Sequence, residues 1–339
     1  MRAFLCLSCI GVAAAFSCLD EIGSFVDYWV AIKVNDGSGY FYQDANGGAT
    51  FEKSRYDMGT NATRASGAVL NTIGQLYDGA LGDAYAYALY NDDTPAETVS
   101  SSRAHSKGVV LFNASIGFWL VHSLPRWPAF PGYGGLPDST YGQSFFCGSY
   151  RTAKLEAIAQ IQLLQWPQLY ASGLSPGLAD SAEVEGFAAW IAGGKTTAAT
   201  TRVTSLISYN GRHFVHYAKS ALCECNLWED VVAPGVNTSL LRTETWQNGA
   251  GGQLPSACAP KFGYDVTNVT HVGFEDGTHW KETQDHSKWA VSAGDARTAC
   301  VGDNNRMASQ AKRGGGALCY ESAELWAAFD AIVETAYSC

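Results

Sequence analysis

The chain has 339 residues, of which 47% are hydrophobic and 16% are charged, and its formal net charge at pH 7 is −10. This length suffices for one large core or for two fused lobes of about 150 residues each, and we expect two lobes. After the first 17 residues, no segment reaches the roughly 18 consecutive apolar residues that a membrane-spanning helix requires, so the sequence predicts no membrane anchor.

The N-terminus has the pattern of a signal peptide. Arg2 is followed by an almost wholly apolar run at residues 3–15, with small residues at positions 13, 15 and 17 where cleavage would occur. An anchoring helix is the alternative, but the run is too short for one. We therefore expect residues 1–17 to be a signal peptide and the mature protein to enter the secretory pathway.

Removal of this leader leaves eight of the ten cysteines, an even number that predicts disulfides in an oxidising compartment. A zinc site is the alternative, but these eight cysteines include no Cys-x2-Cys pair, and Cys223 and Cys225 are too close for the usual ligand spacing. The chain also has four sequons for N-glycosylation, which fit an exported protein. They begin at Asn61, Asn113, Asn237 and Asn268.

Apolar residues that alternate with polar ones, between turn residues, predict β-strands in the first half of the chain. The predicted strands cover residues 28–34, 84–90, 109–112 and 117–121. Helical spacing appears at residues 65–77 and 150–165, and an apolar stripe at residues 325–333 predicts a C-terminal helix. These elements indicate an α/β or mixed α+β fold, with a soft boundary at residues 171–177.

The tripeptide His-Ser-Lys occurs twice, at His105-Ser106-Lys107 and at His286-Ser287-Lys288, in a chain with only seven histidines. The copies are 181 residues apart, roughly half the chain, which predicts that each lobe delivers one half of a site. A hairpin formed by the two strands after the first copy would also return His122 to the neighbourhood of His105 and Lys107. Its register is not fixed by the sequence.

Two histidines and two lysines supply what phosphodiester cleavage needs without a metal ion. One neutral imidazole attacks phosphorus to form a phosphohistidine, the opposite imidazolium protonates the leaving oxygen, and the lysines bind the phosphate oxygens. The alternative is that each histidine is an ordinary hydrogen-bonded residue of a strand. His213 and His216 form an HxxH pattern without an evident third metal ligand, so we predict neither a metal nor a cofactor.

The net charge of −10 opposes binding of a polyanion at neutral pH. At about pH 4.5 the seven histidines are charged and about 30% of the carboxylates are neutral, which gives a net charge of about +7. An anionic polymer would then be attracted in an acidic vesicle. The alternative is that the acidic surface only keeps an exported protein soluble.

A loop downstream of the second tripeptide offers amides and cations for phosphates. The equally supported alternative is that this loop is closed by a disulfide and has no role in phosphate binding. The candidate substrate-binding residues are Asn304, Asn305, Arg306 and Arg313.

These motifs resemble the deoxyribonuclease II family. The matches occur in order from about residue 27 to residue 319, so the resemblance extends over nearly the whole mature chain. The matching segments include residues 89–92, 105–109, 117–123, 140–143, 285–289, 300–303, 313–316 and 318–319. Residues 171–248 match only weakly, so substrate contacts there are not predicted. Asn113 stands where relatives can carry Asp, which puts a carboxylate role at that position in doubt.

The resemblance implies a phospholipase D-like fold with two pseudo-symmetric lobes, residues 18–170 and 171–339, each a sheet flanked by helices. It implies a metal-independent acid endonuclease on double-stranded DNA that leaves 3′-phosphates, found in the lysosome or secreted, with a homodimer left open. The residues carried over as catalytic are His105, Lys107, His122, His286 and Lys288. The implied disulfides are Cys18 with Cys147, Cys258 with Cys339, and Cys300 with Cys319, while Cys223 and Cys225 are either free or paired together.

Within this hypothesis His105 is the nucleophile and His286 the acid and base, although the two roles are exchangeable. One alternative function is a lipid phosphodiesterase of the phospholipase D type, which would need an interfacial amphipathic surface that the sequence lacks. Another is a secreted homologue, scaffold-like or toxin-like, that binds nucleic acid without cleaving it. Binding alone would not require both imidazoles.

Overall fold

The computed structural model describes residues 16–59, 66–77, 81–137, 140–249, 251–259 and 263–339. Residues 1–15 of the predicted signal peptide and the sequon at Asn61 lie outside the described residues. The first described residues pack against the rest of the protein: Phe16 is buried, and the backbone N–H of Ser17 donates to the side-chain oxygen of Gln75 at 3.1 Å.

The first sheet is formed by the chain up to residue 174. Its eight strands, counted over the described residues, are β1 (Tyr28–Lys33), β2 (Gly39–Asp44), β3 (Glu52–Asp57), β4 (Tyr85–Asn91), β5 (Lys107–Asn113), β6 (Ile116–His122), β7 (Gln143–Arg151) and β8 (Leu169–Leu174). Their order across the sheet is β3-β2-β1-β7-β6-β5-β4-β8, and every neighbouring pair is antiparallel. β5 and β6 are buried along their whole length because apolar residues line both of their faces.

The second sheet is formed by the chain from residue 201 onward. Its nine strands, again counted over the described residues, are β9 (Thr201–Ile207), β10 (His213–Lys219), β11 (Leu240–Thr245), β12 (Asp265–Gly273), β13 (His279–Lys281), β14 (Lys288–Ser292), β15 (Thr298–Gly302), β16 (Gly315–Glu321) and β17 (Val333–Ala336). The order is β13-β12-β11-β14-β15-β16-β10-β9, with β17 paired to β12.

Five adjacent strands of one sheet correspond to five of the other. β1-β7-β6-β5-β4 in the first sheet matches β10-β16-β15-β14-β11 in the second, and all pairs in both runs are antiparallel. Lys107 therefore begins β5 where Lys288 begins the equivalent β14. The predicted α+β fold, with a pseudo-symmetric sheet in each lobe, is confirmed.

The helices of the described residues are α1 (Ala68–Tyr77), α2 (Leu155–Gln165), α3 (Pro176–Ala179), α4 (Glu185–Ile191), α5 (Ala233–Val236) and α6 (Ala323–Ala331). The two sheets pack face to face, with α2, α4 and α6 sharing the core between them. Trp119 and Phe146 of the first sheet meet Phe214 and Trp289 of the second in this core. The packing fixes the two lobes relative to each other.

The predicted elements agree with the structure except at their ends. Residues 150 and 151 still belong to β7, so α2 begins later than predicted, and Val333 begins β17 because α6 stops at Ala331. The soft boundary at residues 171–177 includes four of the six residues of β8, which pairs with β4 in the first sheet. The division of the chain at residue 170 stays a prediction.

The structure forms the three disulfides that the resemblance implied, and a fourth that joins Cys223 to Cys225. Of the predicted glycosylation positions, Asn237 is exposed, whereas Asn113 and Asn268 are buried. Within the described residues, no helix has both the length and the apolar character needed to cross a membrane.

Candidate active site

The first half-site forms where β4 ends beside the start of β5. Asn91 pairs with Lys107 across these strands, so Asp92, the next residue, lies beside the Lys107 ammonium and accepts its hydrogen bond. Asp92 also accepts a hydrogen bond from Arg313 at 2.8 Å and lies 3.8 Å from Nε2 of His105. Burial alone would raise the pKa of Asp92, but the neighbouring cations, Lys107 foremost, hold it well below its usual range.

The second half-site forms at the start of β14. The Lys288 side chain is buried and donates to the backbone carbonyl of His286, and its own backbone N–H donates to the Ser144 hydroxyl at 3.1 Å. Trp246 follows β11 and lies against His286, with ring centroids 5.6 Å apart. Burial holds the pKa of Lys288 well below 10.5, and the Lys107 charge adds to this effect.

Each histidine is held by the opposite lobe. Nδ1 of His105 lies 2.8 Å from the backbone oxygen of Asp303, and Nδ1 of His286 lies 3.1 Å from the backbone oxygen of Ser123. Because a carbonyl only accepts hydrogen bonds, this geometry assigns the proton of each neutral ring to Nδ1. Nε2 of each ring is then the unprotonated nitrogen.

The backbone N–H of each of these two histidines also forms a hydrogen bond with the opposite lobe. The His105 N–H donates to the oxygen of Gly314 at 3.0 Å, and the His286 N–H donates to the oxygen of Gly142 at 2.9 Å. The two imidazole rings consequently face each other at the lobe boundary, with centroids 6.4 Å apart and planes at 74°. The structure thus brings both predicted tripeptides to one place.

The electrostatic environment disfavours charge on both rings. His105 is 9% exposed and His286 is partly exposed, yet burial of the imidazoles holds both pKa values well below 6.5. The lysine of each tripeptide lowers them further. Burial raises the pKa of the Asp303 side chain to about 7, so this carboxyl is neutral in acid.

His122 lies at the end of β6, where the predicted hairpin brings it within the field of Lys107. Its ring packs against Trp127 and Phe145, with centroids 4.9 and 5.9 Å away. Burial and the Lys107 charge hold the pKa of His122 well below 6.5. His122 therefore lies beside the first half-site, and the two rings that approach each other are those of His105 and His286.

The candidate substrate-binding residues separate into two groups. Arg313 lies in the site, and Asn304 is buried beside it, with its amide 3.4 Å from the Gly314 oxygen. Asn305 is also buried. The structure does not bring Arg306 to the histidines, because its guanidinium is fully buried and bonds to Glu229, Asn268 and Pro255.

Sequence reasoning missed several residues that shape the site. Asp92 and Trp246 each follow the strand that neighbours a tripeptide, which is a signal only once strand pairing is known. Asp303 acts through its backbone oxygen, which no side-chain pattern reveals. Among the described residues, no group of three His, Cys, Asp or Glu side chains is arranged to hold a metal ion.

A cavity of about 670 Å3 opens beside the second half-site. His286, Trp246, Tyr141 and Gln143 line its inner end. Asp93, Glu97 and Arg126 line the cavity as well, and Arg126 forms an ion pair with each of the two carboxylates. His286 is thus accessible from solvent through this cavity.

Comparison with known proteins agrees with this architecture. Residues 17–339 match the family model described as deoxyribonuclease II. Cell death-related nuclease 6 of Caenorhabditis elegans is 30% identical over 99% of this chain and 93% of its own length. Plancitoxin-1 of Acanthaster planci is 32% identical over 96% and 93%, and deoxyribonuclease-2-beta of Mus musculus is 33% identical over 96% and 93%. The predicted resemblance is therefore confirmed, and the phospholipase D-like α+β fold agrees with it: the chain belongs to the deoxyribonuclease II family of DNA-cleaving hydrolases.

Proposed function

We propose that this protein is an acid endonuclease that hydrolyses double-stranded DNA without a metal ion, through a phosphohistidine, and leaves 3′-phosphate and 5′-hydroxyl ends. The observation that carries the proposal is the facing pair His105 and His286, one from each lobe and each with its own lysine. We further propose that it acts in the secretory pathway, in the lysosome or outside the cell.

In the first step, Nε2 of His105 attacks phosphorus and the bond from phosphorus to the 5′-oxygen breaks. His286, protonated at Nε2, gives that proton to the leaving oxygen, which becomes a 5′-hydroxyl. His105 keeps its Nδ1 proton on the Asp303 oxygen, so the ring becomes positive as the new bond forms. The Asp92 carboxylate, 3.8 Å from Nε2, stabilises this charge and supports the assignment of His105 as nucleophile.

In the second step, the now neutral His286 takes a proton from water, and the resulting hydroxide attacks phosphorus. The bond between phosphorus and Nε2 of His105 breaks and releases a 3′-phosphate. Lys107 and Lys288, each buried at the start of the strand that follows its histidine, bind the non-bridging oxygens as negative charge develops. His122 lies next to Lys107 across the β5-β6 pair, and we infer that it helps to position this lysine.

The proposal predicts activity in acid. The donating histidine must be a cation, and its pKa is held well below 6.5, so the active form grows as the pH falls below neutral. Asp303, with a pKa of about 7, loses its negative charge over the same range, which leaves the site more positive for the phosphate. Both changes favour an anionic substrate at low pH.

The test is cleavage of supercoiled plasmid by the purified protein from pH 4 to 8 in excess EDTA, with the product ends identified. Nicking that peaks below about pH 6, resists the chelator and leaves 3′-phosphates is the expected result. Activity that is restricted to neutral pH and abolished by EDTA would overturn the proposal. So would the absence of cleavage at every pH.

Variants test the roles of the two rings. We expect His105→Ala and His286→Ala each to lower the cleavage rate by at least about 100-fold, within the range of about 10²–10⁴ for general acid-base catalysis. His213→Ala is the matched control, because His213 is exposed and bonds to the Ser205 hydroxyl at an edge hairpin. Rates within a few-fold of wild type in both active-site variants would refute the mechanism, and a phosphohistidine trapped in His286→Ala but not in His105→Ala would fix the order of roles.

A further inference from the structure

The correspondence between the two sheets identifies equivalent residues in the two half-sites. Asp92 follows β4, and Trp246 follows β11, one residue beyond Thr245, which pairs with Lys288 as Asn91 pairs with Lys107. On the other side, Arg313 precedes the glycine that holds His105. Tyr141 precedes the glycine that holds His286.

The equivalent positions hold different chemistry. In the His105 half-site, Arg313 and Asp92 form a buried ion pair at 2.8 Å. In the His286 half-site, Tyr141 and Trp246 form an edge-to-face aromatic pair with centroids 4.7 Å apart and planes at 72°. The pseudo-symmetry of the site is therefore broken at this pair of positions.

The aromatic half-site is also the open one. Tyr141 is 39% exposed, and both rings line the cavity of about 670 Å3 that reaches His286. This volume lies within the roughly 300–1,000 Å3 of typical small-molecule sites. The lining cation Arg126 is already paired with Asp93 and Glu97, so this part of the cavity suits an uncharged planar group better than a second phosphate.

We propose that Tyr141 and Trp246 form a nucleobase subsite, in which the base next to the scissile phosphate lies against the aromatic pair while the phosphate lies between His105 and His286. This proposal rests on the proposed function, and it states how the protein holds the substrate on one side of the scissile phosphodiester. Stacking on an aromatic face accepts every base, because each base has a π-face, so the subsite positions the strand without reading its sequence once the base has left the duplex stack.

A substrate with a single cleavable linkage tests the subsite. A short duplex carries one phosphodiester among methylphosphonate linkages, and two counterparts lack the base on the 5′ or on the 3′ side of that phosphate. For the wild-type protein we expect KM to rise about 5- to 150-fold on one of the two abasic duplexes, as expected for loss of one stacked base. Equal KM values on all three duplexes would overturn the proposal.

The variants Trp246→Ala and Tyr141→Ala, assayed on the same three duplexes, test whether the base acts through these two rings. We expect each variant to raise KM on the intact duplex and to be insensitive to removal of the base, whereas Trp246→Phe keeps most of the wild-type affinity. A ring that only positioned His286 would lower kcat equally on all duplexes, and this result would overturn the subsite. Tyr337→Ala is the matched control, because Tyr337 is 54% exposed and lines a different cavity.

The outcomes separate the two proposals. If the wild-type protein does not cleave the intact duplex, the proposed function fails. If it cleaves the duplex with kinetics that neither aromatic variant changes, the nucleobase subsite alone fails.

Discussion

Lys33 and Lys219 occupy equivalent positions in the two sheets, opposite Gln143 in β7 and Gly315 in β16. Each lysine is buried, and its ammonium donates to the backbone oxygen of the residue before a histidine-holding glycine. Lys33 donates to the Tyr141 oxygen and Lys219 to the Arg313 oxygen. Burial lowers the pKa of each to about 8, so both are charged at the acidic pH proposed for activity.

The two lysines are therefore predicted to position the histidines across the lobe boundary. We expect Lys33→Met and Lys219→Met each to lower kcat by about 10-fold or more with little change in KM, because small displacements of catalytic groups cost up to about 100-fold. Steady-state kinetics on plasmid, with thermal melting as a check on folding, measure this. Lys53→Met is the control, since Lys53 is exposed and forms a surface ion pair with Asp276 and a cation-π contact with Phe41. A wild-type kcat in both buried-lysine variants would contradict the prediction.

Asp92 neutralises the cations of the first half-site. Asp92→Asn keeps the shape but leaves Lys107 and Arg313 buried without their carboxylate, so we expect a loss on the order of 3–5 kcal/mol in the free energy of unfolding. Chemical denaturation measures it. Asp93→Asn is the matched control for stability, because its partner Arg126 is 45% exposed and pairs at the surface contribute at most about 1 kcal/mol. Equal stabilities of the two variants would argue against this role.

Asp303 makes stability depend on pH. Its pKa rises from 3.8 to about 7 on folding, so its contribution to stability is fully present below about pH 4 and is lost as the pH rises through 7. Asp303→Asn does not ionise and still accepts the Gly316 N–H. The rise of roughly three pKa units corresponds to about 4 kcal/mol. We therefore expect the variant to become more stable relative to wild type as the pH rises from 4 to 8. Melting temperatures of both proteins across this range measure the difference. A difference in melting temperature that does not change with pH would refute this role of Asp303.

The sequons differ in what the fold allows. Asn237 is exposed, whereas the buried Asn268 amide donates to the Leu254 oxygen and accepts from Arg306. We expect a glycan at Asn237 and none at Asn268, because a glycan nitrogen at Asn268 would break this network. Peptide mass spectrometry after enzymatic deglycosylation in heavy water checks both positions. Full occupancy of Asn268 in the active protein would contradict the buried arrangement.

Much of the first half-site was predictable from the sequence. The apolar periodicity around residues 107–122 predicted β5 and β6, and their short turn predicted the hairpin that carries His122 back to Lys107. The repeat of the tripeptide predicted that two lobes would meet at one site. Local patterns sufficed here because the interacting residues are close in the chain.

The rest depends on pairing between distant segments. Trp246 lies in a stretch with only weak resemblance to the family, and its place beside His286 follows from the pairing of β11 with β14. Arg306 was predicted to bind substrate because it is a cation in the same loop as Asn304, but its side chain turns to Glu229 in the core. The sequence alone gives the charge of such a residue but not the direction in which its side chain points.

The crossing of hydrogen bonds between the lobes determines how activity is lost. Gly314 of the second lobe holds His105, and Gly142 of the first lobe holds His286, so separation of the lobes removes the support of both rings at once. A partly opened molecule therefore keeps neither histidine in position, and it cannot carry out even a slow or partial reaction. Catalysis therefore requires docked lobes, and we expect activity in a denaturant titration to disappear no later than the core that the two sheets share.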